Sequence, residues 1–211
     1  MGICNSTCVN SRNEGNPRQL GYGRLGTSSD RARAESRECG CVLQTATRVS
    51  QTRARLTELG LTLPSPPQAL AAYSPAVIRG EWVYTAGQLP LQDGQLIASG
   101  LVGGEVSEME GAEAARIAAL NGLAAISSVV SDLDAITIAK VVGYVACAPG
   151  FTGQPNVVNG ASLLLAEVLG ERGQHARSAV GVTALPLGAP VEIEIVARVD
   201  TSASRGIADS A

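Results

Sequence analysis

Apolar residues recur along this chain with two periods, and the switches between them mark the elements. Val49, Leu56 and Leu59, with Arg53 between them, stand at helical spacing, so residues 46–60 are expected to form a helix that Gly60 stops. Leu63-Pro64-Ser65-Pro66-Pro67 then reads as a stiff extended linker, because proline restricts its own φ and the residue before it. Ala76–Arg79 and Glu81–Gly87 have strand character and flank Arg79-Gly80, which predicts a hairpin. Gly94 to Gly104 is a glycine-spaced loop with weak strand character. Helical period returns at Ser107 and is expected to run to about Asp132. Ser107 and Glu110 make a capping box, and Glu108 suits the first turn. Ala112, Ala115, Ala119, Ile126, Val130 and Leu133 form one stripe, with Glu113, Arg116, Ser127 and Ser131 opposite.

Thr137–Cys147 is a β-branched run ending at Ala148-Pro149-Gly150, hence a strand. Pro155 suits the first turn of a second helix, whose stripe is Val158, Ala161, Leu165 and Val168 and whose stop is Gly170 or Gly173. Ser178–Leu185 and Val191–Val199 are the last strands. The body order is therefore ββ-α-β-α-ββ, an α+β layer with a mostly antiparallel sheet and two helices on one face. In the final strand Val191, Ile193, Ile195, Ala197 and Val199 point one way, and Glu192, Glu194, Val196 and Arg198 the other. If the apolar set meets the helices, two glutamates lie on the second face, and that face is expected to be a subunit interface.

Composition sharpens this picture. The chain has 211 residues and is 45% hydrophobic but only 3% aromatic, so its core must be built from Ala, Val, Leu and Ile. No apolar run is long enough for a transmembrane helix, and no apolar block follows Met1 as in a secretory signal. Residues 1–60 carry nine arginines against five acids, a net +4, whereas the remainder is −7. An acidic body is a poor generic partner for nucleic acid. Residues 1–45 are polar, without apolar period, and read as a disordered or non-native tail; 46–67 is helix and linker, 68–200 the folded domain and 201–211 a second tail. Met1–Ser6 fits the N-myristoylation pattern, with Cys4 open to palmitoylation; the alternative is a plain unstructured extension. Cys4, Cys8, Cys39 and Cys41 lack the paired spacing of a zinc site and read as free thiols, which fits a reducing cytoplasm. Cys147 reads as a small buried apolar residue.

Two stretches resemble a known family. Tyr73-Ser74-Pro75-Ala76-Val77, followed by Val83-Tyr84-Thr85-Ala86-Gly87-Gln88-Leu89-Pro90, is similar to the first hairpin of the RidA (YjgF) family of reactive-intermediate deaminases. So is the end: His175-Ala176-Arg177-Ser178-Ala179-Val180-Gly181, Leu185-Pro186 and Val191-Glu192-Ile193-Glu194-Ile195. The resemblance covers about residues 70–199. It implies a chorismate-mutase-like fold, a homotrimer with clefts between subunits, and hydrolysis of imine or enamine acids to 2-keto acids and ammonia. It implies no metal or organic cofactor, and a small imino or enamine acid as the partner rather than nucleic acid or membrane.

The residues that match the family's site fit that chemistry. Arg177 matches the arginine that binds the substrate carboxylate, and a guanidinium holds a carboxylate through two parallel N–H donors as lysine does not. Gly87 matches a glycine whose N–H adds a donor, with no side chain to block the ligand's approach. Glu194 is taken to match the glutamate that holds the attacking water, Tyr73 a pocket tyrosine, and Asn159 an asparagine of the second helix. The alternatives are that Arg177 pairs with Glu192 or Glu194 across the sheet and that Tyr73 is core. His175, the single histidine, reads as a helix-exit residue or, alternatively, a base. Ala179 stands where many members carry Cys, and Ala86 where Ser is frequent. Both substitutions put the substrate preference in question.

Overall fold

The computed structural model describes residues 50–66 and 72–200. The tails, the acylation pattern and the four N-terminal cysteines lie outside these residues. Helix α1, Gln51–Glu58, is shorter than its apolar spacing suggested, because Ser50 caps it: the Ser50 hydroxyl accepts from the Arg53 N–H. Its free N–H groups at Gln51 and Thr52 donate to the Asp134 carboxylate at 2.7 and 2.8 Å, and the Thr52 hydroxyl donates to the same group at 2.6 Å. Arg172 closes the cluster, donating to Thr52 Oγ1 and to the carbonyls of Leu133 and Ile136. Thr52 and Leu56 form the buried side of α1. Burial alone would raise the Asp134 pKa, but the hydrogen bonds from Thr52 and Gln51 outweigh it and hold the carboxyl below its ordinary value.

The predicted hairpin forms as β1 (Ala76–Arg79) and β2 (Trp82–Thr85), paired antiparallel with Arg79 opposite Trp82. A second hairpin, β3 (Leu91–Gln92) with β4 (Gln95–Leu96), occupies part of the expected loop. Its corner is Asp93-Gly94, both at positive φ, the conformation that an Asp-Gly pair favours in a tight hairpin turn. Helix α2 (Glu108–Ser127) starts with the expected capping box, the Glu110 carboxylate accepting from the Ser107 N–H at 2.8 Å. It ends at Ser127, short of the expected Asp132. The Ser127 and Ser128 hydroxyls donate back to the Ala124 and Ala125 carbonyls, which competes with helix propagation ahead of Val129-Val130. Val130 and Leu133 are buried as their stripe required, but from the following turn.

β5 (Ile136–Ala146), α3 (Gln154–Leu169), β6 (Ala176–Val182) and β7 (Val191–Val199) complete the body. The α3 stripe of Val158, Ala161, Leu165 and Val168 is buried as expected. The strand order is β1-β2-β7-β5-β6, with β5–β6 parallel and the other three neighbours antiparallel. The parallel pair requires a crossover, and α3 supplies it. The sheet is therefore mixed, in an α+β layer. Val191, Ile193, Ile195, Ala197 and Val199 are all buried, and both long helices cover that face. At Gly122 of α2 a Cβ would stand 2.6 Å from Ile195 Cδ1, and at Gly143 it would collide with Val158 of α3. The two glycines let each helix sit directly on the strands. Among the described residues no helix is long and apolar enough to cross a membrane.

Candidate functional site

The expected site residues fall into three places. Gly87 and Tyr73 line one cavity of about 500 Å³. Gly87 leaves the end of β2, and the chain beyond it pairs with β7 through Gln88, whose N–H and C=O bond the C=O and N–H of Ile193 at 2.8 and 3.0 Å. Asn121 of α2 holds the next turn, its Nδ2 donating to the carbonyls of Leu89 and Leu91 at 2.9 Å each. Asn121 is itself a wall of the cavity, and so are Pro64 and Ser65, which the docked α1 places there. Among the described residues, no acceptor pairs with the Gly87 N–H.

Arg177 lies elsewhere. It stands in register with Val141, so it shares the helix-covered face, whereas Glu192 and Glu194 stand opposite Tyr144 and Val142 on the other face. Parity thus forbids the strand-edge pairing with either glutamate, and among the described residues no carboxylate forms an ion pair with Arg177. Its NH1 donates instead to Asn159 Oδ1 at 2.8 Å and to Ser162 Oγ at 3.1 Å, both from α3. Asn159 and Ser162 are three apart on one helix face, a spacing that was visible in the sequence. The two acceptors occupy both hydrogens of NH1. The Nε–NH2 edge, the side-on fork for a carboxylate, has no partner among the described residues.

His175 meets this group from the far side. Its Nδ1 lies 2.6 Å from the Gly173 carbonyl, which can only accept, so Nδ1 carries the proton. In the neutral ring Nε2 is then an acceptor, and Ser162 Oγ donates to it at 3.0 Å.

The third place is the open face of the sheet. The Tyr144 hydroxyl donates to Glu194 at 3.3 Å. Glu192, not Glu194, is the carboxylate against Gly87: a Cβ at position 87 would collide with it. Burial raises the Glu192 pKa, and the neighbouring Glu194 charge raises it further. Burial likewise raises that of Tyr144, aided by Glu194 and Glu192. The Val-Glu-Ile-Glu repeat puts two equivalent acids on one face, and only the Gln88–Ile193 bridge singles out Glu192 as the one at Gly87. Within one protomer Glu192 adjoins Gly87, but Arg177 stands apart from both. Gly87 follows β2 and Arg177 is on β6, strands three spacings or roughly 14 Å apart, and the two residues are on opposite faces of the sheet.

Residues 53–199 match the family described as "YjgF/chorismate mutase-like, putative endoribonuclease". The fold agrees with that match, and the chain belongs to this family, also called RidA/YjgF. Among relatives, Protein TCP17 of Trypanosoma cruzi is 38% identical over 143 residues, which is 67% of this chain and 89% of the relative. Protein Atu1372 of Agrobacterium tumefaciens, of unknown function, has a solved structure 43% identical with a TM-score of 0.67, covering 71% of this chain and 93% of that one. A Shewanella oneidensis MR-1 protein carrying the same "putative endoribonuclease" description is 32% identical with a TM-score of 0.68, over 70% and 99% of the two chains.

Proposed function

We propose that this protein hydrolyses reactive 2-imino and enamine acids to 2-keto acids and ammonia. The observation that carries the proposal is the Arg177 guanidinium, with NH1 held by Asn159 and Ser162 and the Nε–NH2 edge open. That edge matches the two oxygens of a carboxylate, which every 2-imino acid carries beside its C=N carbon. The Gly87 N–H supplies a further donor, in the cavity it shares with Tyr73. Glu192, half-buried and with a raised pKa, is the acid–base group. It holds a water that attacks the C=N carbon, takes that water's proton and passes it to nitrogen. Glu192 then relays the carbinolamine's hydroxyl proton to nitrogen, the C–N bond breaks as the carbonyl forms, and ammonia leaves the 2-keto acid. Glu194 acts through Glu192, by raising its pKa.

In this reading the site is completed between copies, one presenting Gly87, Tyr73 and Glu192 and the next presenting Arg177. The homotrimer supplies that geometry, and the uncovered sheet face, with Tyr84 and Val180 each 43% exposed, is the surface it would use. Binding of small carboxylates without turnover is the second reading, favoured by Ala86 and Ala179 where hydroxyl and thiol are frequent. Cleavage of RNA fits poorly with the −7 body and its paired glutamates.

The test generates imines in situ with an amino-acid oxidase and follows their decay. Arg177→Lys keeps the charge but loses the fork and is expected to slow decay at least about tenfold; Arg177→Ala slows it further, with melting temperature and mass unchanged. Normal decay with Arg177→Ala defeats the reading. Pyruvate binding without any acceleration of decay by the native protein selects the second.

A further inference from the structure

We propose that Ser162 and His175 form a directional relay that sets the rotation of the Arg177 guanidinium, and so determines how tightly the site takes a carboxylate. This rests on the Arg177 clamp described above. Three hydrogen bonds run in one sense. Arg177 NH1 donates to Ser162 Oγ at 3.1 Å, Ser162 donates to His175 Nε2 at 3.0 Å, and His175 Nδ1 donates to the Gly173 carbonyl at 2.6 Å.

The direction follows from the last link. A carbonyl cannot donate, so Nδ1 holds the ring proton and Nε2 of the neutral ring must accept. The Ser162 proton is thereby committed to His175, and its lone pairs turn toward Arg177. Asn159 Oδ1 takes the second NH1 hydrogen at 2.8 Å. An arginine has four rotatable bonds and a flat head that can present either edge. With both NH1 hydrogens engaged, only the Nε–NH2 edge remains for a ligand, and part of the ordering cost of binding is met before the ligand arrives. His175 is two hydrogen bonds from the fork and does not itself reach it. It is a positioning residue rather than the base, and Ser162 is its intermediary.

The test measures pyruvate binding to the full chain by calorimetry, with mass and melting temperature on the same samples. Ser162→Ala and His175→Asn each break the relay at the Ser162–His175 link. Asparagine keeps a donor for Gly173 but has no atom in the place of Nε2. Both are expected to raise the dissociation constant about 3- to 10-fold. Ser162→Thr keeps the hydroxyl and His175→Gln keeps an acceptor for it, and both are expected within about twofold of the native protein. In an Arg177→Lys background, where there is no fork to orient, the Ser162→Ala effect shrinks to less than about twofold. The relay is overturned if Ser162→Ala or His175→Asn binds pyruvate normally, if His175→Gln is no better than His175→Asn, or if the Ser162→Ala loss is undiminished in the Arg177→Lys background. The two ends of the relay are independent variants, so misfolding of one leaves the other to decide. Failure of the clamp itself has a different signature: the native protein does not bind pyruvate, or Arg177→Ala binds it normally, whatever happens at Ser162 and His175.

Discussion

The two faces of the five-stranded sheet are made by the same strands and solve opposite problems. On one face Val191, Ile193, Ile195 and Ala197 are fully buried under α2 and α3, and glycines at 122 and 143 bring helix and strand into contact. The β7 positions there are filled within the chain, and only Arg177 of β6, with its Nε–NH2 edge open, keeps a group for a ligand among the described residues. The other face alternates Glu192, Glu194 and Val196 with exposed Tyr84 and Val180, and burial together with the Glu194 charge raises the cost of ionising Glu192. A sheet face finished by the chain itself specifies the fold. A face that keeps both apolar side chains and strained charges in the open is suited to a second surface and to chemistry.

Substitutions should therefore sort by face. The largest loss of folding stability is expected from Ile195→Ala, which empties a fully buried site at the α2 contact and should cost about 2–5 kcal/mol in urea denaturation, as for other large-to-small core changes. A cost near zero would mean that the helices do not rest on the sheet as described. Tyr84→Asp on the open face should barely move the unfolding free energy of the isolated chain, because the side chain is exposed. It should lower the mass seen by light scattering from trimer to monomer, and imine decay should fall with it. A native protein that is already monomeric at micromolar concentration ends that expectation. The smallest effect is a pH dependence. The Glu192 pKa is raised in the folded state, so its contribution to stability is present below the unfolded carboxyl value of about 4.3 and is lost as pH rises through the higher folded value. Glu192→Gln should flatten that part of the stability profile. Asp134 works in the opposite sense: its pKa is lowered, so its contribution is present above the unfolded value of about 3.9 and disappears as pH falls through the folded one.

Much of the helix-covered face could be read in the sequence because burial leaves a period. The alternation from Val191 to Val199 and the stripe through Val158, Ala161, Leu165 and Val168 gave both elements and their inward sides. The ends were harder. The serine hydroxyls that stop α2 compete with the backbone without disturbing the apolar stripe, which continues through Val130 and Leu133. The β3–β4 hairpin has strands of two residues, too short for alternation, although Asp93-Gly94 was a turn signal of the right kind. The candidate site was legible residue by residue but not as an arrangement. Nothing in the spacing of Glu192 and Glu194 tells which one meets Gly87, since both share a face. Ser162 and His175 are brought together by the crossover into β6, and a link made by tertiary packing leaves no local pattern.

The strand order has a consequence for how the protein comes into being. β7 is the last strand of the sheet to be synthesised, yet it sits between β2 and β5 and pairs with both. Until Val191–Val199 has left the ribosome, the nascent hairpin and the β5–α3–β6 segment have no strand to join them, and each exposes an unpaired edge beside uncovered apolar side chains. Such edges template pairing with other chains. The sheet therefore closes late and through contacts distant in sequence, which slows folding relative to a meander of the same length.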